Sequence, residues 1–116
     1  MHNKARILEP YQDYFWDFYN PLKPEVKEKV DHVLQIVISL NRIPSNFYKH
    51  LEDGLYEIRI MAGGNTYRVF AFFDENQRVI LLQGFQKKTR KTPRNKIEKA
   101  KRLRKNYYET RKNKGR

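Results

Sequence analysis

From Pro24 to about Leu40, the apolar residues Val26, Val30, Val33, Leu34, Val37 and Leu40 recur every three to four positions, the spacing of one face of an α-helix. Pro24 and Glu25 suit its first turn, where a missing N–H costs little and a negative charge meets the positive end of the helix dipole. Arg42-Ile43-Pro44-Ser45 closes it, while Ile36 and Ile38 widen the stripe and predict burial on more than one side. Upstream, Tyr11, Tyr14, Phe15, Phe18 and Tyr19 share the same spacing and predict a short helix over Tyr11 to Tyr19, separated from the next by Asn20-Pro21 and Pro24. Residues 4 to 9 read as a short opening strand or extended arm, ended by Pro10.

After Pro44 the pattern changes to period two. Turn residues at Asp53-Gly54, Gly63-Gly64-Asn65 and Asp74-Glu75-Asn76-Gln77 delimit runs at about Phe47 to Leu51, Leu55 to Ala62, Thr66 to Phe73 and Arg78 to Phe85, an antiparallel meander of up to four strands. Runs such as Val69-Phe70-Ala71-Phe72-Phe73 are apolar on both sides, so both sheet faces are expected to be at least partly covered, one of them by the two helices. Thr92-Pro93 restarts a helix in which Ile97, Ala100, Leu103 and Tyr107 form a narrow apolar stripe, and Arg111 to Arg116 reads as a frayed basic tail. The expected fold is α+β over residues 1 to 116 as one domain: N-terminal helices on an antiparallel sheet, then a basic C-terminal helix.

Charge changes the picture. The chain has 25 Lys and Arg against 13 Asp and Glu, a net charge of +12. Residues 86 to 116 alone carry 15 basic and 2 acidic residues, so the excess lies in the last quarter and predicts a polyanionic partner. The chain has no Cys, which excludes disulfides and thiolate chemistry, and His2, His32 and His50 are too scattered for a metal site, so no metal or cofactor is expected. With neither a long apolar run nor a signal-like N-terminus, a cytoplasmic location away from membranes is expected.

Hairpin arithmetic gathers part of this charge. A two-residue turn at Gly63-Gly64 pairs Ala62 with Asn65 and places Arg59 directly opposite Arg68. Two cations so placed repel, and the sequence must supply a carboxylate, for which Glu57 is available, or expect an anion. The same count at the next turn puts Gln83 opposite Arg68 and carries Phe85 and Lys87 onto that face. A two-residue loop around Asp53 brings Tyr48 and His50 there too. His50, Glu57, Arg59, Arg68 and Lys87 together contain what metal-free phosphodiester cleavage requires: proton acceptors, proton donors and cations for a crowded phosphate. Each residue also has a structural reading. The arginines can bridge to Glu57, Asp74 or a helix acid, His50 can be a polar strand residue, and the Tyr11 to Tyr19 aromatics can be core. The basic stretch from Lys87 to Lys105 can be a solvated helix face, a nucleic-acid or ribonucleoprotein dock, or a surface for an acidic protein.

Leu55-Tyr56-Glu57-Ile58-Arg59, Gly63-Gly64-Asn65-Thr66-Tyr67-Arg68-Val69-Phe70, Phe72-Phe73-Asp74, Leu81-Leu82-Gln83-Gly84-Phe85-Gln86-Lys87-Lys88-Thr89, Lys91-Thr92-Pro93 and Ile97-Glu98-Lys99-Ala100 together resemble the RelE/ParE superfamily, nearest to the phage-derived HigB-type toxins of type II toxin–antitoxin systems. The resemblance runs from about Phe47 to Tyr108. It implies a ribosome-dependent mRNA interferase whose sheet face, opposite the helices, binds RNA. Arg59, Arg68 and Lys87 match the family's functional positions, with Lys88 adjacent and His50 as a candidate partner. The implied chemistry has His50 or a lysine of lowered pKa deprotonate the 2′-OH, Arg59 and Arg68 stabilise the phosphate, and Lys87 protonate the leaving 5′ oxygen. Lys88, Arg90, Lys91, Arg94, Lys101, Arg102, Arg104 and Lys105 are then expected to grip RNA or the ribosome. The implied partners are ribosome, mRNA and a small DNA-binding antitoxin, through which alone operator DNA is contacted. Arg68→Ala is expected to abolish toxicity in a folded protein. A ParE-like gyrase inhibitor and a non-catalytic RNA- or ribosome-binding module are the alternatives.

Overall fold

The computed structural model describes residues 5–114. In chain order the elements are β1 (Ile7–Pro10), α1 (Tyr14–Tyr19), α2 (Pro24–Ser39), β2 (Tyr48–Glu52), β3 (Leu55–Ala62), β4 (Asn65–Phe73), β5 (Arg78–Lys87) and α3 (Arg94–Lys114). One five-stranded sheet has the order β1-β5-β4-β3-β2. The expected meander β2 to β5 is antiparallel throughout, and β1 adds a fifth strand parallel to β5, with Ile7 opposite Arg78 and Pro10 opposite Leu81. Pro10 is tolerated because β1 is an edge strand, where not every N–H must join a ladder. The opening-strand reading at Lys4 falls outside the described residues.

The apolar stripes explain the layers. Val26, Val30, Val33, Leu34, Val37 and Ile38 of α2 are buried and, with Phe15 of α1, pack on Ile58, Ile60, Val69, Ala71, Val79 and Leu81 of the sheet. On the opposite face Ile97, Ala100, Leu103 and Tyr107 of α3 bury Leu55, Phe70, Phe72, Ile80, Leu82 and Phe85. Both faces are thus covered, which is why the strands are apolar on both sides.

Several boundaries differ from expectation. Gln12 takes a φ of +53°, so α1 starts at Tyr14, and Tyr11 turns its ring toward Tyr107 of α3 at 5.7 Å. Leu40 is the extended C-cap of α2 and is exposed rather than part of the stripe. There Arg6 donates to the carbonyls of Val37 (3.0 Å), Leu40 (2.5 Å) and Asn41 (2.8 Å), satisfying acceptors that a helix end leaves open. The expected frayed tail is instead helical to Lys114, with Arg111 over the Tyr107 ring at 5.4 Å. Residues 115–116 lie outside the described residues.

Gly63 and Gly64 have φ of +57° and +78°, and Asp53 and Gly54 have +52° and +76°, the pair of positive values that a type I′ hairpin turn requires. Gly84 has a different reason: α1 lies over the part of β5 beyond the β1 pairing, and a Cβ at Gly84 would sit 2.5 Å from the Phe18 ring. Gly84→Ala is therefore expected to displace α1 and cost about 1–3 kcal/mol. Urea denaturation checks this, and a midpoint equal to wild type would show that Phe18 repacks freely.

Candidate functional site

The covering of the second sheet face by α3 is incomplete. Along the positions of β3 that point to this side, Leu55 is 0% exposed, Glu57 2%, Arg59 partly exposed and Met61 67%. The face opens progressively toward the Gly63-Gly64 turn because α3 begins at Arg94, beside Phe85, whose ring lies 4.9 Å from the Lys96 ammonium.

On this open end the register places Arg59 directly opposite Arg68, as the two-residue turn predicts, and the next pair outward is Met61 with Thr66. Arg68 faces Phe85, and Thr66 faces Lys87. The expected partner of Arg68 was Gln83. The turn after β4 is one residue longer than counted, Phe73 lying opposite Val79, and a bulge between Val69 and Ala71 adds another shift. Two single shifts preserve parity, so Phe85 and Lys87 still share the face of Arg68. Gln83 is buried, and its amide donates to the Lys96 carbonyl at 2.9 Å.

His50 is corrected. The Asp53-Gly54 turn pairs Glu52 with Leu55 as expected, but a bulge between His50 and Glu52 adds one residue to β2. One shift reverses parity: His50 pairs with Tyr56 on the α2 side of the sheet, its Nε2 accepting the Gly54 N–H at 3.1 Å and its ring edge-on to Tyr56. Lys49 comes to the open face instead, opposite Glu57.

Glu57 organises the site. Its Oε1 accepts from Arg68 Nε at 3.2 Å and lies 3.7 Å from Arg59 Nε, while its Oε2 accepts from the Thr92 hydroxyl at 2.9 Å. Arg68 is 5% exposed and also donates to the Tyr67 carbonyl at 3.1 Å. Arg68 is thus held inside, while Arg59, with an ion-pair contact but no hydrogen bond to Glu57, keeps its donors available. A single carboxylate among Arg59, Arg68, Lys87 and Lys49 leaves the face positive. Burial lowers the Arg68 pKa, with Glu57 opposing and Arg59 adding to the effect. Burial also lowers the Lys87 pKa, and Arg68, Arg59 and Lys49 lower it further against the pull of Glu57. A lysine that releases its proton more readily, beside an arginine able to take phosphate oxygens, is suited to acid–base work at a phosphodiester.

Thr92 carries no local sequence signal, since its partner Glu57 lies 35 positions away. Lys49 was obscured by the bulge. The basic stretch divides into two groups. Lys88, Arg90 and Lys91 are exposed in the loop beside Lys87, and Arg102 and Lys105 are exposed on α3. Arg94, Lys101 and Arg104 are already engaged. Arg94 holds both Glu52 oxygens, at 2.6 and 2.8 Å, and Lys101 bonds Glu52 and lies 3.0 Å from Asp53. Arg104 donates to the Asp53 carbonyl at 2.5 Å. The bonds from Arg94 and then Lys101 bring the Glu52 pKa down to about 2. These three cations clamp α3 to the β2–β3 turn, so their charge is largely answered within the molecule.

Among the described residues, no group of three or more His, Asp or Glu side chains is placed to hold a metal ion, and no helix is long and apolar enough to cross a membrane. Residues 17–105 match the family model described as phage-derived protein Gp49-like (DUF891). No curated protein matches the chain.

Proposed function

Because the chain belongs to the Gp49-like family of phage-derived proteins, a family associated with RelE-like toxins of toxin–antitoxin systems, we propose that it is the toxin of a type II system and a metal-independent, ribosome-dependent mRNA endonuclease. The observation that carries this reading is Lys87, with its weakened hold on a proton, sharing an open face with directly opposed arginines.

In the proposed reaction the message 2′-OH attacks the adjacent phosphorus and the bond to the 5′ oxygen breaks. Lys87 delivers a proton to that oxygen, leaving a 2′,3′-cyclic phosphate and a 5′-OH. Arg59 turns from its loose contact with Glu57 to the phosphate oxygens, where charge accumulates in the transition state. Arg68 stays on Glu57 and fixes the floor beneath. Among the described residues no imidazole shares this face, so removal of the 2′-OH proton falls to the ribosome-held message and its surroundings. This is the reason for ribosome dependence in the proposed mechanism. Lys88, Arg90 and Lys91 at the rim, with Arg102 and Lys105 on α3, supply the electrostatic grip on ribosomal RNA. The proposed neutralising partner is a small DNA-binding antitoxin, and operator DNA is reached only through that complex.

Primer extension on a defined message, with and without ribosomes, tests the reading. Discrete cuts are expected only with ribosomes, and Arg59→Ala is expected to weaken them about 100-fold. An intact message in the presence of a toxin that arrests growth moves the reading to gyrase inhibition.

A further inference from the structure

We propose that the open end of the α3-side face is a groove for single-stranded RNA, in which Lys49 takes a phosphate flanking the reacting one and Met61 packs against a base. The inference rests on the ribonuclease reading and adds two contacts to it. Its basis is the grid of side chains the register creates. Lys49 lies beside Glu57, Arg59 beside Arg68 and Phe85 in the next row, and Met61 beside Thr66 and Lys87 in the row after that. Neighbouring strands lie about 4.8 Å apart and successive same-face rows about 6.6 Å. The three cations that reach the surface, Lys49, Arg59 and Lys87, therefore cross the sheet diagonally from β2 to β5 above the buried Arg68, a track on which a chain with regularly spaced phosphates can lie.

Glu57 is saturated by Arg68, Arg59 and Thr92 and makes no hydrogen bond to Lys49 among the described residues. Lys49 is exposed, and its charge adds the smallest of the effects that lower the Lys87 pKa. Met61, at 67% exposure, is the only large apolar residue among the described residues of this face left open to solvent beside the cations. Its neighbours in the row are Thr66 and Lys87, and α3 does not reach it. An unbranched, polarizable thioether adapts to the flat faces of different bases. Sequence-selective contact with RNA is made with such unstacked bases in single strands.

The test separates capture from cutting. A short single-stranded RNA carrying 2′-O-methyl groups, which lacks the attacking hydroxyl, is titrated against the intact protein by fluorescence anisotropy at several salt concentrations. Lys49→Ala is expected to weaken binding about tenfold and to reduce the slope of log affinity against log salt by about 0.7, the loss of one phosphate contact, with Lys49→Arg restoring both. Met61→Ala is expected to weaken binding about two- to tenfold with the slope unchanged. Both residues are exposed, so neither variant disturbs the core. Binding and salt slopes equal to wild type in both variants overturn the groove even if wild type cuts messages on ribosomes. Loss of binding in the variants of a protein that cuts nothing upholds the groove and overturns the nuclease instead.

Discussion

Lys87→Met is expected to lower ribosome-dependent cleavage by about 100-fold or more without lowering stability. Burial, and then Arg68, Arg59 and Lys49, disfavour the charged ammonium in the folded state, so the folded Lys87 pKa lies below its ordinary 10.5. Such a shift takes stability away at every pH below the ordinary value, because the unfolded chain holds that proton more tightly. Removing the ammonium relieves this cost, and the neutral-pH melting temperature of Lys87→Met is expected to equal or exceed that of wild type. Lost activity with retained or increased stability is the pattern of a residue kept for chemistry. The pH profile is sharper still. As an acid Lys87 acts while protonated, so kcat/KM is expected to fall as pH rises through its lowered pKa. Lys87→Arg retains the positive charge but holds its proton across the accessible range, and is expected to remain slow with no such alkaline fall. Wild-type rates in Lys87→Arg reduce Lys87 to a phosphate contact.

What the sequence reveals about this site follows from strand parity. The Arg59–Arg68 pairing follows from the turn chemistry of Gly63-Gly64, which demands two positive φ values and so fixes a two-residue loop. Lys87 reaches the correct face although the count to it is two residues off, because two odd shifts cancel. His50 reaches the wrong face because one shift does not cancel, and Lys49 takes its place. A bulge has no dependable local signature, so side-chain direction is secure in sequence only up to the nearest bulge. The helices show the same limit. The stripes of α2 and α3 are evident because packing repeats along them, whereas the parallel β1 depends on a pairing made across 71 positions, Ile7 to Arg78. The basic stretch is plain in composition. Its division into exposed cations and a clamp on Glu52 and Asp53 depends on the turn over which α3 lies.

Arg68→Ala is expected to destabilise the protein by about 3–5 kcal/mol, so that lost folding competes with lost chemistry as the cause of an inactive variant. Glu57 is 2% exposed, and with Arg68 gone its charge retains only the Thr92 hydroxyl and the loose Arg59 contact, in a place water does not reach. A loss of this size consumes a large part of the ~5–15 kcal/mol that holds a domain folded. Loss of toxicity in Arg68→Ala therefore says little about catalysis. The informative variant removes both charges. Glu57→Gln with Arg68→Ala leaves no unpaired buried ion, and its destabilisation is expected to fall at least about 2 kcal/mol short of the sum of the two single changes, as measured by urea denaturation across a double-mutant cycle. Additive losses mean that the pair is worth no more than a surface bridge, despite its burial. With coupling established, cleavage by the double variant isolates the contribution of Arg68 to the reaction. Holding the floor while Arg59 and Lys87 meet the phosphate predicts a smaller loss in the double variant than in Lys87→Met, and a larger loss places Arg68 on the reacting group itself.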